Sequence, residues 1–232
     1  MKVKIMNDFI KTKILFLMVI SFSVEAQIQD DSLQEIIVTA TRLDGSILDV
    51  ARSVSIIDKD QIQLATQQLG LDEALLSVPG LYMQNRYNFS QDLRISLRGF
   101  GARSSFGIRG VKVIVDGIPE TLPDGQSGVD SIDLGSAQTI EVLRGPASSI
   151  YGNSAGGVIA VNTQLDTENP FVEGRLARGN FGYQQLQFKS GGSFGQVDYL
   201  FNVSDSDIGG YRDHSYAKGN LINSILRLAP LI

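Results

Sequence analysis

Between residues 93 and 163 apolar and polar positions alternate in short runs: Leu93, Ile95 and Leu97 against Arg94, Ser96 and Arg98; Val111, Val113 and Val115; Ile140 and Val142 beside Thr139 and Glu141. A period of two predicts strands with one buried face. Between the runs lie Gly, Pro and Asp, including Asp116-Gly117 at a strand end and Pro119. That is turn chemistry. Gly145-Pro146 then opens a short helical turn, and Gly152 stands where its end needs a positive φ. After Gly156-Gly157 an apolar strand is predicted over residues 158–161.

Upstream, residues 53–57 read as a strand, and Asp58-Lys59-Asp60-Gln61 has the spacing of a helix-opening capping box. Leu71, Ala74, Leu75 and Val78 fall at helical spacing and are stopped by Pro79-Gly80. Residues 81–92 carry Tyr82, Arg86, Tyr87 and Phe89 without a period, which predicts a loop. Flat rings and a guanidinium suit a planar or anionic ligand, and packing of the loop against its surroundings accounts for the same residues. Both readings extend to residues 102–107, with Arg103 and Phe106, and to residues 120–128.

After Thr163 the pattern changes. Residues 167–170 read as a linker; beyond it Leu186 and Phe188 alternate with Gln185, Gln187 and Lys189, and Val197, Tyr199, Phe201 and Val203 with Asp198, Asn202 and Ser204. A membrane barrel and a soluble antiparallel sheet both fit this alternation. The connections favour the barrel: strands over residues 172–178, 183–190, 197–204 and 216–228 leave a short turn at 191–196 and a longer loop at 205–215. Short inner turns and long outer loops belong to such barrels.

Near the amino terminus, Lys2, Lys4, Lys11 and Lys13 precede an apolar run over residues 14–20, then Val24-Glu25-Ala26. This is the layout of a secretory signal over residues 1–26, because the run is too short to span a bilayer. The polar stretch that follows leads into Glu35-Ile36-Ile37-Val38-Thr39-Ala40-Thr41-Arg42, a β-branched run able to add as a strand to another protein's sheet edge or to serve as an ordinary edge strand.

Composition narrows the classes further. The 232 residues are 43% apolar, enough for a folded chain of one or two domains. There is no Cys, hence no disulfide framework, and one His, hence no multi-His metal site. The net charge of −5 argues against a nucleic-acid partner.

Arg98-Gly99, Val115-Asp116-Gly117-Ile118-Pro119, Ile140-Glu141-Val142-Leu143-Arg144-Gly145-Pro146 and Tyr151-Gly152-Asn153-Ser154-Ala155-Gly156-Gly157-Val158-Ile159 resemble, in order and spacing, the plug domain of TonB-dependent outer-membrane receptors. The octet at 35–42 is similar to the TonB box. The resemblance implies an α+β plug domain, a small mixed sheet with short helices, over residues 51–165, behind a leader at 27–50. The first antiparallel strands of a transmembrane β-barrel would occupy residues 166–232. It also implies capture of Glu35, Ile36, Ile37, Val38, Thr39, Ala40, Thr41 and Arg42 by TonB and its inner-membrane energising complex, cargo contact by apex residues Arg86, Tyr87, Arg103, Phe106, Asp124 and Gln126, and pairing of Arg98 and Arg144 with acids of the barrel wall. The implied cargo is a ferric siderophore or another scarce small molecule, and the implied place is the outer membrane of a Gram-negative bacterium, in contact with its lipid, with the plug facing the periplasm. No catalytic residue, cofactor or metal site is expected.

A plugged barrel of about 22 strands needs on the order of 220 strand residues. Only 69 residues follow Thr163, so at most four strands are expected, as in the front part of a receptor. A free-standing periplasmic plug that binds without transport is the alternative. An exported serine hydrolase is a third reading, since Gly191-Gly192-Ser193-Phe194-Gly195 has the spacing of a nucleophile elbow, followed by Asp207 and His214. Its context is wrong, because the motif needs a strand before it and a helix after it.

Overall fold

The computed structural model describes residues 37–38, 45–46, 53–165 and 169–228. The expected signal sequence, most of the expected TonB box and the last four residues lie outside them.

Two short strands come first, β1 (Ile37–Val38) and β2 (Gly45–Ser46), paired antiparallel with each other. The segment expected as plug follows with β3 (Ser53–Asp58), α1 (Lys59–Gln63), α2 (Leu71–Ala74) and one 3-10 turn (Leu75–Ser77). Next are β4 (Leu81–Gln84), β5 (Arg94–Leu97), β6 (Ile108–Arg109), β7 (Val111–Val115), β8 (Ile118–Pro119) and β9 (Gln126–Ser127). It closes with β10 (Ala137–Arg144), α3 (Ser148–Tyr151) and β11 (Gly157–Thr163).

Five strands form a mixed sheet in the order β3-β10-β11-β7-β8, with only the β11–β7 pair parallel. The central strands are nearly continuous in apolar residues because the sheet is covered on both faces. On one face Ile140, Val142, Ile159 and Val113 are wholly buried against Ile62, Leu71 and Leu75 of the helical segment. On the other, Leu143 and Val158 pack with Ala147. Each such side chain contributes about 1.5–3 kcal/mol on burial.

Turn chemistry sets the connections. Asp58 caps α1 by accepting from the Gln61 backbone N–H at 2.8 Å, as the capping-box spacing predicts. Asp116 and Gly117 have φ of 49° and 82°, the left-handed pair that a two-residue hairpin between β7 and β8 requires. Gly152 ends α3 at φ 70°. At Gly157 a Cβ would lie 2.2 Å from the Leu143 carbonyl oxygen, so only glycine lets β11 start against β10.

The second sheet is a four-stranded antiparallel meander, β12 (Phe171–Arg178), β13 (Gln184–Phe194), β14 (Val197–Ile208) and β15 (Ala217–Leu228). Three expectations change. Residues 191–194 are not a turn but the end of β13, and β14 runs four residues past its expected end. Residues 81–84, expected as loop, pair with β5. Their exposure alternates between half-buried and open, too weak a pattern for one short strand to announce itself.

The meander inverts the soluble-protein rule. Asn202, Lys189 and Gln185 are 0%, 1% and 3% exposed, while Leu176, Ile222 and Leu226 are 71%, 74% and 76% exposed. Its polar face is packed on the preceding segment, residues 53–165. Asn202 donates to Asp133 at 2.6 Å, Asn223 to Ser136 at 2.8 Å, and the Tyr183 hydroxyl to the Gln67 carbonyl. Gly135 makes this approach possible, because a Cβ there would meet the Gln187 amide at 2.1 Å. No helix among the described residues is long and apolar enough to cross a membrane, which does not bear on strands.

Candidate functional site

The segment at 85–92 is an ordered loop built from its own polar groups. Asn85 and Tyr87 adopt φ of 65° and 56°, and the Asn85 side chain donates to the Asp92 carbonyl at 3.1 Å. Ser90 donates to the Asn88 side chain at 2.8 Å. Arg86 turns inward: its Nε donates to Asp72 Oδ2 at 2.7 Å, and its guanidinium carbon lies 5.7 Å from the Tyr87 ring centre. The hydrogen bond to Asp72, opposed by a smaller effect of lost water, raises the Arg86 pKa still higher. Arg86 therefore braces the loop with a permanent charge.

That brace leaves Tyr87 and Phe89 facing out. Opposite them stand Phe181, in a 3-10 turn (Asn180–Gly182) after β12, and Tyr211, in the connection at 209–216; their rings meet edge to face at 6.2 Å and 64°. The four rings line a cleft of about 440 Å³. A second opening of about 770 Å³ shares Tyr87 and Phe89 and is bordered by Arg212, His214 and Tyr216. The Arg212 guanidinium carbon sits 4.9 Å over the Tyr211 ring. Lys218, also at this border, is paired with Asp207 at 2.8 Å. Four aromatic faces with a stacked guanidinium suit a ligand that is flat and anionic in part.

The structure brings together only part of the sequence-predicted apex. Tyr87 lines both openings. Arg103 and Phe106 are exposed on the 98–107 connection, Asp124 caps the Gln126 backbone N–H at 3.0 Å, and Gln126 pairs with Arg109. None of these four borders either opening. Asp130, further along, has its carboxyl pushed up by loss of water and then by Asp92. Phe181, Tyr211, Arg212 and Tyr216 went unread as candidates. For Tyr211, Arg212 and Tyr216 the signal was the run Gly209-Gly210-Tyr211-Arg212, aromatic and basic residues at a glycine-marked connection, and for Phe181 the flanking Gly179 and Gly182.

Arg98 and Arg144 are in no ion pair among the described residues; Arg144 donates to the Pro79 carbonyl at 3.2 Å. Of the octet at 35–42, Ile37 and Val38 pair with Ser46 and Gly45, and Glu35, Ile36, Thr39, Ala40, Thr41 and Arg42 lie outside the described residues. The hydrolase constellation does not assemble. Ser193 lies within β13 and donates to Asp198 at 2.9 Å, while Asp207 pairs with Gln184 at the other end of the hairpin.

A family model described as TonB-dependent Receptor Plug Domain matches residues 46–158. The chain is 28% identical over 204 residues to the vitamin B12 transporter BtuB of Vibrio vulnificus (strain YJ016), covering 82% of this chain and 32% of that protein. It is 32% identical over 166 residues to the pesticin receptor of Yersinia pestis, covering 66% of this chain and 24% of the receptor. It therefore spans a third or less of the length of these relatives. The pyoverdine outer membrane receptor FpvA of Pseudomonas aeruginosa PAO1, solved with pyoverdine bound, superposes with a TM-score of 0.67 at 21% identity, over 83% of this chain and 27% of that one. At that identity the likeness speaks for the fold.

Proposed function

We propose that this chain, which carries a TonB-dependent receptor plug domain over residues 46–158, is the plug and first wall strands of an outer-membrane transporter that imports a scarce ligand. The observation that carries this reading is the inverted meander, which buries Lys189, Asn202 and Gln185 on the plug and turns Leu176, Ile222 and Leu226 outward. Such a sheet is stable where hydrocarbon lies outside and a polar lumen inside. The relatives perform transport rather than bond chemistry, and no catalytic residue is assigned.

In this reading the ligand enters from the side of Tyr87, Phe89, Phe181 and Tyr211. A ferric siderophore is the favoured cargo over vitamin B12, because planar iron-chelating groups match the aromatic faces and Arg212. The strand β1 supplies the energy link. Ile37 and Val38 pair with the two residues of β2, and a short β-branched strand of this kind is suited to addition to a sheet edge of TonB.

The test is uptake in cells expressing a receptor that contains this chain. Ile37→Pro and Val38→Pro remove backbone donors from the added strand, and are expected to abolish uptake while ligand binding persists. Unimpaired uptake in both variants would overturn the energy link. Titration of the purified receptor with a ferric siderophore panel and with cobalamin separates the two cargo classes.

A further inference from the structure

The largest fully buried side chain of the described residues is a lysine. Lys189 lies on β13, where its strand alternation points inward, and only 2% of its side chain is exposed. A buried ammonium must find oxygen partners, since leaving one unpaired is strongly destabilising. Four oxygens surround this one. Glu173 Oε2, directly across the β12–β13 ladder, is at 3.0 Å. The Gly135 carbonyl is at 3.1 Å, Gln164 Oε1 at 3.3 Å and Gln63 Oε1 at 3.4 Å.

Three of these oxygens belong to the plug, and they come from separate places in it. Gln63 ends α1, Gly135 precedes β10 and Gln164 follows β11. Gln63 ties itself into the same knot by donating to the carbonyls of Gly135 at 3.0 Å and Ala137 at 2.9 Å. The exchange is reciprocal, because the plug's own Lys59 reaches back to Glu173 Oε1 at 3.3 Å. Glu173 is therefore shared between a wall cation and a plug cation.

We propose that Lys189 is the seat of the plug: one wall ammonium gathers Gln63, Gly135 and Gln164, and Glu173 keeps that ammonium neutralised when the plug moves away. The assignment rests on the reading of β12–β15 as wall. Glu173 is what makes the seat reversible. Without it, the first separation of the plug would leave the cation unpaired before water reaches it; with it, the three plug oxygens are exchanged for water while the pair within the wall survives. A cleft of about 440 Å³ bordered by Lys189, Glu173 and Gln63 gives that water a place to enter.

The test is hydrogen exchange on the full chain in detergent micelles, read peptide by peptide for wild type, Lys189→Met, Gln164→Leu and the double variant. Lys189→Met is expected to raise exchange on the order of tenfold or more in peptides covering 133–137 and 162–165, while the β13–β14 ladder stays protected. Gln164→Leu is expected to raise it less, and the double variant no more than Lys189→Met, because both act through one contact. Unchanged exchange in those peptides with Lys189→Met would overturn the proposal. If that variant loosens the ladder as well, Gln164→Leu decides: local loosening upholds the seat and none refutes it. Leu186→Cys and Leu226→Cys, probed in parallel with a water-soluble maleimide, test the wall separately, and protection from labelling is expected. Full labelling in micelles would sink the wall reading, while the exchange result stands as a statement about docking of the two sheets.

Discussion

Asp116 holds the far end of the neighbouring strand with both carboxylate oxygens: Oδ1 accepts from the Thr163 backbone N–H and Oδ2 from the Thr163 hydroxyl, each at 2.7 Å. The same residue donates its own N–H to the Val161 carbonyl at 2.9 Å and adopts φ 49°. One side chain thus closes the β7–β8 turn and fixes where the plug sheet hands the chain on toward the wall.

Replacing Asp116 with Ala removes two charge-assisted bonds and puts a methyl-bearing residue in the left-handed region, a combined cost of about 2–4 kcal/mol. Asp116→Asn retains an acceptor and tolerates that backbone, so it is expected to cost about half as much. Denaturant unfolding of the purified chain gives the magnitudes. Equal losses for Ala and Asn would show that the carboxylate is not what fixes the turn.

Much of the plug was legible because its signals are local. Asp58 announces a cap, Asp116-Gly117 a hairpin and Gly152 a helix end, and each is decided within four residues. The wall was legible from alternation, since Gln185, Gln187 and Lys189 are buried and Leu186 and Phe188 exposed. What escaped depends on partners distant in sequence. Gly191 reads as a turn, yet it is a strand residue whose missing side chain makes room for the Phe171 ring, 2.6 Å from where its Cβ would be. Arg86 reads as a ligand cation until Asp72 is seen beside it, and Lys189 reads as lumen-facing without any hint of three plug oxygens.

Asp130, which is exposed at the surface, gives the fold a modest pH dependence whose sign follows from the direction of its shift. Its carboxyl is pushed up by lost water and by Asp92, so the folded chain binds more protons than the unfolded one. Stability from this group is present at low pH and is lost as pH rises through the folded value. Asp130→Asn removes that loss. The variant is expected to unfold at a higher midpoint than wild type near neutral pH, with the advantage fading as pH falls into the carboxylate range, about 4. Midpoints measured in the same detergent from roughly pH 3 to pH 7 follow this. A variant less stable than wild type at neutral pH would contradict it.

The two arginines near the aromatic clefts separate structure from recognition. Arg86 is bound to Asp72 at 2.7 Å, and Asp72 has only 12% of its side chain exposed, so Arg86→Ala strands an acid and loosens the loop that carries Tyr87 and Phe89. The expected cost is about 1–3 kcal/mol of stability, with ligand affinity falling as a consequence. Arg212 makes no ion pair among the described residues and stacks on exposed Tyr211. Arg212→Ala should leave the unfolding midpoint within the ±0.5 kcal/mol usual for surface changes. It should nonetheless weaken an anionic ferric siderophore about five- to thirtyfold, corresponding to about 1–2 kcal/mol of cation–π and charge interaction. Calorimetric titration beside denaturant unfolding reads both effects in one pair of proteins. If Arg86→Ala lowered affinity with no loss of stability, or Arg212→Ala left affinity untouched, the roles given to the two side chains would have to be exchanged or withdrawn.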